Sequence, residues 1–353
     1  MIKSALRDKD KIVLTLVIES YVRHGRPVSS GSISHMRRIS ASSATLRNIM
    51  AKLEEMGFLS QPHTSAGRVP TDRGLRHYVG GLLAVKGLPE ERVPLIQEEF
   101  PNRTADFDSL LIQACRILAD SSDNLGFVIS PHIFRIPFEH LRFIKISDRR
   151  ILVILVTPFH MVLTETLESP LPLTQTELDR ASQHVNHNFR GKTILFVRDA
   201  LIQELPHHRV KYEDTLNKLL DLLKASLAKG EGGENRIFLQ GTSRLLGKAE
   251  LFNMDKLRSL FENFEEKTAL VKLLSDFISL DRVKVLIGSE VNFPNVQDCS
   301  LVLSHYGYSN QVLGSLGIIG PKRIPYEKII PLVDRMAKRL SLAITVFGRE
   351  VSL

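Results

Sequence analysis

Two adjacent side chains, Arg47 and Asn48, have the chemistry to read the edges of nucleic-acid bases. An arginine forms paired hydrogen bonds with guanine, and an asparagine does so with adenine. Both lie in the first two turns of the segment Ser43 to Met56, whose apolar residues fall on the opposite side at helical spacing. We interpret this segment as a recognition helix that enters a major groove of DNA, in preference to an ordinary solvent-facing helix.

Basic and hydroxyl residues surround the start of this helix. Arg37 and Arg38 precede it, and we expect them to approach the phosphate backbone as point charges. Ser43 and Thr45 can donate hydrogen bonds to phosphates, but serine and threonine at a helix N-terminus also cap the helix. The sequence leaves these two roles open.

The stretch FLSQPHTSAGRVPT, residues 58–71, predicts two short strands around a Ser-Ala-Gly turn. Such a hairpin after a recognition helix is typical of a wing, and we expect Gly67 to supply backbone freedom at its turn. The candidate contacts to a phosphate or to the minor groove are His63, Thr64, Ser65 and Arg68, with Arg73 and Arg76 as weaker candidates just beyond. The alternative for Arg68 is a structural ion pair.

The positive charge of the chain is concentrated at its N-terminus. The 353 residues carry a net charge of +8, and residues 1–84 hold 13 Lys and Arg against 6 Asp and Glu, a balance of +7. The remaining residues hold 34 against 33. Clustered charge of this kind favours binding to DNA, because phosphate neutralisation releases counterions. A basic surface that serves only solubility is the alternative.

No arrangement of residues predicts catalysis, a metal site or a bound cofactor. Three glycines in one stretch lack the spacing of a nucleotide-binding loop, so we assign them to strand packing. They are Gly314, Gly317 and Gly320. Four histidines lack the cysteines and carboxylates that would complete a metal site. They are His184, His187, His207 and His208. We therefore predict that the protein is not an enzyme.

Length and composition predict a cytoplasmic protein of more than one domain. A chain of 353 residues exceeds what one hydrophobic core usually supports. Its most apolar stretch, Ile151 to Val156, is too short to cross a bilayer, and charged residues occupy the place of a signal peptide's apolar block. The two cysteines, Cys115 and Cys299, exclude a disulfide framework.

Helical spacing and capping residues predict four helices in the N-terminal part. The first helix spans 8–24 and is ended by Gly25, and a short second helix, capped by Ser29 or Ser30, runs to about Arg37. The third spans 43–56 and is capped by Ser42, and the fourth spans 71–84. Residues 85–102 contain three prolines and little periodicity, which is typical of a linker.

The rest of the chain alternates irregularly between strand and helix patterns, which indicates an α+β fold. The pieces LRFIKIS, RILVILVT and HMVLTETL predict a three-stranded antiparallel meander. Further strands are expected at GFVISP, RIFLQG, VKVLIG, CSLVLSHY and VLGSLGIIGP. Helices are expected at about 106–120, 174–188, 193–204, 213–228, 255–274 and 326–344.

Residues 42–79, SSATLRNIMAKLEEMGFLSQPHTSAGRVPTDRGLRHYV, closely resemble the HrcA family of bacterial heat-inducible transcription repressors. The resemblance continues through GRPVSSGSIS, RASQHVNHNFRGKT, IFLQGTSRLL, DCSLVLSHYGY and LGSLGIIGPKRIPYEKIIPLV, and so spans nearly the whole chain. It implies repression of chaperone genes through an inverted-repeat operator. It also implies that a GroEL-type chaperonin tunes the amount of active repressor.

The same resemblance implies a winged helix-turn-helix domain, a GAF-like domain and a dimerisation domain inserted into it. We place the DNA-binding domain at residues 1–84 and the linker at 85–102. The GAF-like domain occupies 103–137 and 233–353, and the inserted α+β domain occupies 138–232. The expected partners are double-stranded DNA, a second copy of the chain and the chaperonin, with no membrane.

Two other functions remain possible from the sequence. In one, the GAF-like domain binds a small ligand and shifts the spacing of the DNA-binding domains. In the other, the body of the protein is an enzyme and the winged helix docks a protein, but no catalytic residues support it. For assembly, the alternative to the inserted domain is that GAF-like or DNA-binding domains pair directly.

Overall fold

The protein has an α+β fold, as its sequence predicts, with two antiparallel sheets beside a helical N-terminal part. The computed structural model describes residues 6–36, 40–64, 66–84, 107–131, 136–159, 161–169, 172–193, 196–197, 200, 236–246, 283–290, 298–309 and 311–349. The predicted linker at 85–102 and the predicted helices at 213–228 and 255–274 lie outside these residues, as does most of 193–204.

Residues 6–84, which we call the head, contain four helices and a two-stranded hairpin. Its elements are α1 (Asp8–His24), α2 (Ser30–Ser34), α3 (Ser43–Glu55), β1 (Leu59–Ser60), β2 (Val69–Pro70) and α4 (Asp72–Ala84). The predicted bounds of α1 are confirmed, and Gly25 ends it at φ +70° while donating its N–H to Tyr21 O. Helix α2 ends at Ser34 and not near Arg37, because its sequence SGSIS is rich in weak helix formers.

The apolar stripes of α1 and α3 pack against each other to form the core of the head. Val13, Leu16 and Val17 of α1 are buried, as are Leu46, Met50 and Leu53 of α3. Ser29 and Ser42 accept hydrogen bonds from Ser32 N and Thr45 N, so each caps its helix. Burial of one side of α3 leaves its other side at the surface.

A buried ion pair also joins α1 to α3. The Asp10 carboxylate is 2% exposed and lies 2.6 Å from Lys52 Nζ and 3.5 Å from Arg7 Nε. Burial alone would raise the pKa of Asp10, but the hydrogen bond and charge of Lys52, together with Arg7, hold that pKa below its ordinary value. The pair therefore contributes to the stability of the folded head at neutral pH.

Five antiparallel strands form the larger sheet, which we call the body together with its helices. The elements are α5 (Phe107–Ser122), β3 (Leu125–Ile129), β7 (Ile237–Gln240), α7 (Thr242–Leu246), β8 (Lys284–Ile287), β9 (Cys299–Tyr308), β10 (Gln311–Pro321) and α8 (Tyr326–Arg349). The strand order is β7-β3-β10-β9-β8. Helices α5 and α8 pack on one face of this sheet, where Val302, Leu316 and Met336 are buried.

A smaller sheet has its own apolar core. It consists of β4 (His140–Lys145), β5 (Arg150–Val156) and β6 (Val162–Glu168), which form the predicted antiparallel meander. Helix α6 (Gln175–Phe189) covers one face, where Phe143 and Val153 pack with Leu178 and Val185. Thr174 caps α6 in a reciprocal arrangement with Glu177.

Replacement of Asp10 by asparagine should destabilise the head in a pH-dependent way. A group whose folded pKa is lowered stabilises the fold above its unfolded pKa, and this contribution is lost as the pH falls through the folded value. We expect Asp10→Asn to cost about 1–2 kcal/mol at pH 7, since the Lys52 side chain is partly exposed and screened. The difference from the parent chain should shrink below about pH 4.

Hydrogen exchange of the α1 and α3 amides measures this local free energy. Asp8→Asn is the matched control, because Asp8 is exposed and pairs only with Lys11 in the described part of the chain. An equal loss of protection at pH 3 and pH 7 would contradict the role of the Asp10 charge.

Candidate nucleic-acid interface

The predicted recognition residues lie together on the solvent side of α3. Ser43, Thr45, Arg47 and Asn48 are exposed, whereas Leu46 between them is fully buried. Among the described residues, neither Arg47 nor Asn48 has a hydrogen-bond or ion-pair partner. Their polar groups are therefore available to an external ligand with donors and acceptors at its edges.

The N-terminus of α3 is held by hydroxyl groups. Ser42 Oγ supplies the cap, and it lies 2.9 Å from Thr45 Oγ1. Ser43 Oγ lies 3.1 Å from Ser30 Oγ, which ties the start of α3 to the start of α2. Capping thus belongs to Ser42, as predicted, while Ser43 and Thr45 remain exposed and retain hydrogen-bonding capacity. Arg37 and Arg38 lie outside the described residues.

The hairpin after α3 is anchored to the segment between α1 and α2. Strands β1 and β2 are antiparallel, with Leu59 opposite Pro70 and Ser60 opposite Val69. Val28 N donates to Arg68 O at 2.9 Å and Arg68 N donates to Val28 O at 2.8 Å. This bridge extends the hairpin by one more backbone segment and fixes its direction relative to α3.

A glutamine organises the loop of the hairpin. Gln61 Nε2 donates to Thr64 O and to Ala66 O, each at 2.9 Å, and Ala66 N donates to His63 O. His63 and Thr64 are exposed at the tip, as their predicted role requires, and Ser65 lies outside the described residues. Sequence reasoning missed Gln61, since nothing in one sequence separates it from an ordinary surface glutamine.

Two arginines from the predicted contact set serve the structure of the head instead. Arg68 Nε donates to Glu54 Oε2 at 2.8 Å, and the Arg68 side chain is only 15% exposed. In the structure Arg68 forms a structural ion pair, which was the alternative to a DNA contact. Arg73 Nη1 donates to Met56 O at 2.8 Å, and its guanidinium lies 4.6 Å from the centre of the Phe58 ring. Both side chains fasten the hairpin and α4 to the end of α3.

Gly67 also has a role different from the expected one. The left-handed glycines of the described chain include Gly25 and Gly57, but Gly67 is not among them. A Cβ atom at Gly67 would lie 2.5 Å from the Val28 carbonyl carbon and oxygen. Gly67 is therefore required for the close approach of two backbones, and not for conformational freedom.

Most of the six acidic residues of the head are neutralised within the molecule. Four of them form ion pairs: Asp8 with Lys11, Asp10 with Lys52, Glu54 with Arg68, and Asp72 with Lys322. The exposed face of α3 between Ser43 and Asn48 carries Arg47 and no carboxylate. Its local charge is therefore positive, which favours a polyanionic ligand.

The remaining candidates for chemistry have structural roles. The residues that the structure describes contain no cluster of three or more metal-ligating side chains, and none of their helices is long and apolar enough to cross a membrane. Gly317 lies in β10, where a Cβ would collide with Val302 O, so strand packing explains it. Cys115 and Cys299 are buried and unpaired, and burial raises the pKa of each thiol to about 12.

Comparisons with known proteins place this geometry in a family. The model of the HrcA protein C-terminal domain matches residues 108–330. A heat-inducible transcription repressor HrcA from Geobacter sulfurreducens is 36% identical over 336 residues, covering 95% of this chain and 97% of that one. A protein of the same description from Xanthomonas euvesicatoria is 35% identical over 331 residues, covering 94% of each chain.

One solved structure shares the fold over the whole chain. It is described as a hypothetical protein, and it superposes with a TM-score of 0.65 at 24% sequence identity. The superposition covers 97% of this chain and all of that chain. At this level of identity the likeness extends to the fold alone.

Gly67→Ala should loosen the hairpin. The added methyl has to displace the Val28 backbone, which we expect to cost about 1–3 kcal/mol, as overpacking usually does. Hydrogen exchange at the Val28 and Arg68 amides measures the effect. The control is Gly80→Ala in α4, where a Cβ meets nothing within 4 Å and should stabilise the helix by about 0.5–1 kcal/mol. Unchanged protection in Gly67→Ala would show that the two backbones are not in forced contact.

Proposed function

The chain belongs to the HrcA family of heat-inducible transcription repressors, and we propose that it binds an inverted-repeat operator as a homodimer. The observation that carries this proposal is the pair Arg47 and Asn48, which are exposed and have no partner within the described chain. They lie on α3, whose opposite side is buried and whose two ends are fixed by Ser30 and Arg68. Occupation of the operator by two heads would deny the promoter to the transcription machinery. Family membership supports the repressor role, and the geometry of α3 supports DNA as the ligand.

We propose that the head is a winged helix-turn-helix domain. The order α1, Val28 bridge, α2, α3, β1 and β2 supports this assignment, because the bridge adds a third backbone segment beside the hairpin. In such domains the second helix of the motif lies in the major groove and the hairpin reaches the neighbouring backbone or minor groove. Helix α3 and the loop around His63 would occupy those two places.

The contacts divide into those that specify and those that position. Arg47 and Asn48 would bond to guanine and adenine edges, and they would supply sequence preference. Ser43, Thr45, His63 and Thr64 would bond to phosphates or sugars and fix the register. Arg37, Arg38 and Ser65 belong to the same proposal on sequence grounds. Arg68 and Arg73 would act indirectly, by holding the hairpin against α3.

We propose that residues 138–232 form a domain inserted into a GAF-like domain. Strands β3 and β7 are neighbours in the larger sheet, with Gly126 opposite Gln240, although the small sheet and α6 lie between them in the sequence. The chain thus leaves the larger sheet after β3 and returns beside the same strand. The separate core around Phe143 supports a distinct unit at this point.

The outer face of the small sheet is the surface that we propose for dimerisation. The residues that face away from α6 include five apolar ones, which are Ile144, Leu152, Ile154, Val156 and Val162. They lie beside polar residues of the same face, which are His140, Arg142, Arg150, Thr164, Thr166 and Glu168. Val162 is 60% exposed at one end of the small sheet, and Ile146, at the turn beyond the other end, is 56% exposed. These apolar side chains on an uncovered sheet face favour burial against a second copy, on a two-fold axis, with the polar residues of the same face around them.

We also propose that a GroEL-type chaperonin sets the amount of active repressor in the cytoplasm. Family membership is the support for this partner. A chaperonin that binds unfolded chains would link repressor activity to heat, because heat-unfolded protein competes for the same chaperonin.

DNA binding is tested with the purified chain on an inverted repeat from a chaperone-gene promoter of its own genome. Affinity should fall steeply with salt, since the head neutralises phosphates. Arg47→Ala should cost about 1–3 kcal/mol and relax preference at one base position in each half-site. Arg116→Ala in α5 is the control, because Arg116 is an exposed arginine of the body. A salt slope near zero would refute phosphate neutralisation by the head, and uniform weakening across sequences would make Arg47 a phosphate contact.

The dimer surface is tested by Val162→Lys. Because a two-fold axis places the new charge in the interface twice, the dimer dissociation constant should rise by about tenfold or more. Sedimentation velocity at micromolar concentration measures it. Leu342→Lys in α8 is the matched control, since Leu342 is also an exposed apolar residue, at 66%. Dissociation by Leu342→Lys and not by Val162→Lys would place the interface in the body.

A further inference from the structure

Helix α4 of the head is bound to the body by a bidentate ion pair. Arg76 Nε donates to Glu290 Oε1 at 2.6 Å, and the Arg76 Nη2 atom contacts the second oxygen of the same carboxylate. Arg76 Nη2 also donates to Val285 O at 2.7 Å. The Glu290 carboxylate is itself fixed, because it accepts a hydrogen bond from Ile287 N at 2.9 Å. The guanidinium therefore has a single orientation against the end of β8.

One turn earlier, Asp72 makes a second attachment with the opposite polarity. Its Oδ1 accepts from Lys322 Nζ at 2.8 Å, and its Oδ2 accepts from Ser289 N at 3.3 Å. Gly288 has φ +55°, and a Cβ there would collide with the Asp72 carboxylate. The body thus provides a recess for this side chain. Beside it, the Arg323 guanidinium lies against Gly25, where α1 ends.

These polar contacts accompany an apolar core that is continuous between head and body. Leu75 and Val79 of α4 are buried in the same cluster as Val285 and Ile287 of β8. Apolar burial holds surfaces together without choosing an angle between them, because it is not directional. The bidentate Arg76–Glu290 pair is directional, and the attachment of Asp72 to Lys322 and Ser289 N adds a second contact of opposite polarity. They therefore select one orientation of the head on the body.

The C-terminal end of α4 is too weak to set the orientation of the head, so other contacts have to set it. Gly80 and Gly81 follow Asp72 and Arg76 in α4, and a Cβ at either glycine would meet nothing within 4 Å. Adjacent glycines in an exposed helix cost about 1 kcal/mol each relative to alanine. The last turns of α4 are consequently a weak helix, and they do not fix the orientation of the head. The contacts at Asp72 and Arg76 lie before this weak point and act directly on the head.

We propose that Asp72, Arg76, Glu290 and Lys322 form a clasp that positions the head on its body, so that the recognition helices of a dimer match one half-site spacing. This inference rests on the proposed function. The four residues are positioning residues, since they act on DNA through the placement of α3. Rotation of the head would displace α3 relative to its copy across the two-fold axis, and a rigid pair of helices tolerates only one spacing.

The test uses the full-length dimer with Lys322→Glu, which places a like charge opposite Asp72. Lys328→Glu is the matched control, because Lys328 is an exposed lysine of α8 in the same region. Operator duplexes carry the two half-sites at the natural spacing or with one or two base pairs added. Each added pair rotates one half-site by roughly 35° about the DNA axis, since B-DNA has about 10.5 pairs per turn.

The parent chain and Lys328→Glu should lose about tenfold or more in affinity for each altered spacing. Lys322→Glu should lose less than about threefold in affinity for each altered spacing. Lys322→Arg should recover the steep dependence of affinity on spacing. The double variant that combines Asp72→Lys with Lys322→Glu should recover it as well. An unchanged spacing dependence in Lys322→Glu would overturn the clasp. A higher affinity at the natural spacing with equal steepness would overturn it as well.

A measurement without DNA separates the clasp from the proposed function. Spin labels at Lys9→Cys in α1 and Lys338→Cys in α8 report the distance between head and body, and Cys115 and Cys299 are buried. Labelled chain is diluted with unlabelled chain so that one protomer per dimer carries labels. The distance distribution should be narrow in the parent and broad in Lys322→Glu. If the parent bound no inverted repeat but the distance distribution still broadened from the parent to Lys322→Glu, the operator proposal would fail while the clasp remained.

Discussion

Burial of one side of α3 is the constraint on which the interface depends. Leu46, Met50 and Leu53 have to face α1 because they recur at helical spacing and are fully enclosed. The rotation of α3 about its own axis is then fixed, and Arg47 and Asn48 can point only to solvent. Around this helix, the hydroxyls of Ser30 and Ser43 hold one end, while Arg68 and Arg73 hold the other. The exposed face is thus as rigid as the core beneath it.

Signals that are local in the sequence predicted local structure well. Gly25 ends α1 through its left-handed conformation, and Ser42 starts α3 through a hydrogen bond of its side chain. The end of α1 and the start of α3 could therefore be placed before any contact was known. Strand alternation likewise predicted the three strands of the small sheet. Helix α2 was predicted too long, because its SGSIS sequence holds only one buried residue to favour the helix.

Roles that depend on a partner distant in sequence were predicted poorly. Arg68 had two possible roles, a DNA contact or a structural ion pair, until Glu54 was found beside it, and Gly67 was assigned to a turn until the Val28 backbone was placed against it. Gln61 carried no signal at all. The attachment of Asp72 and Arg76 to the body joins residues more than 200 positions apart, and charge alone does not indicate such pairing. Arg47 and Asn48 were found because the helical spacing of the apolar residues in α3 is itself a local signal.

The topology separates three tasks without interrupting the larger sheet. Because β3 and β7 are neighbours, everything between them can vary while the sheet keeps its hydrogen bonds. The small sheet can then provide an apolar face, while α4 and the end of β8 join the head to the body through charges about one-third exposed. Ion pairs at that exposure contribute little energy each. They are nevertheless specific in geometry, so the orientation of the head can be defined by contacts that cost little to break.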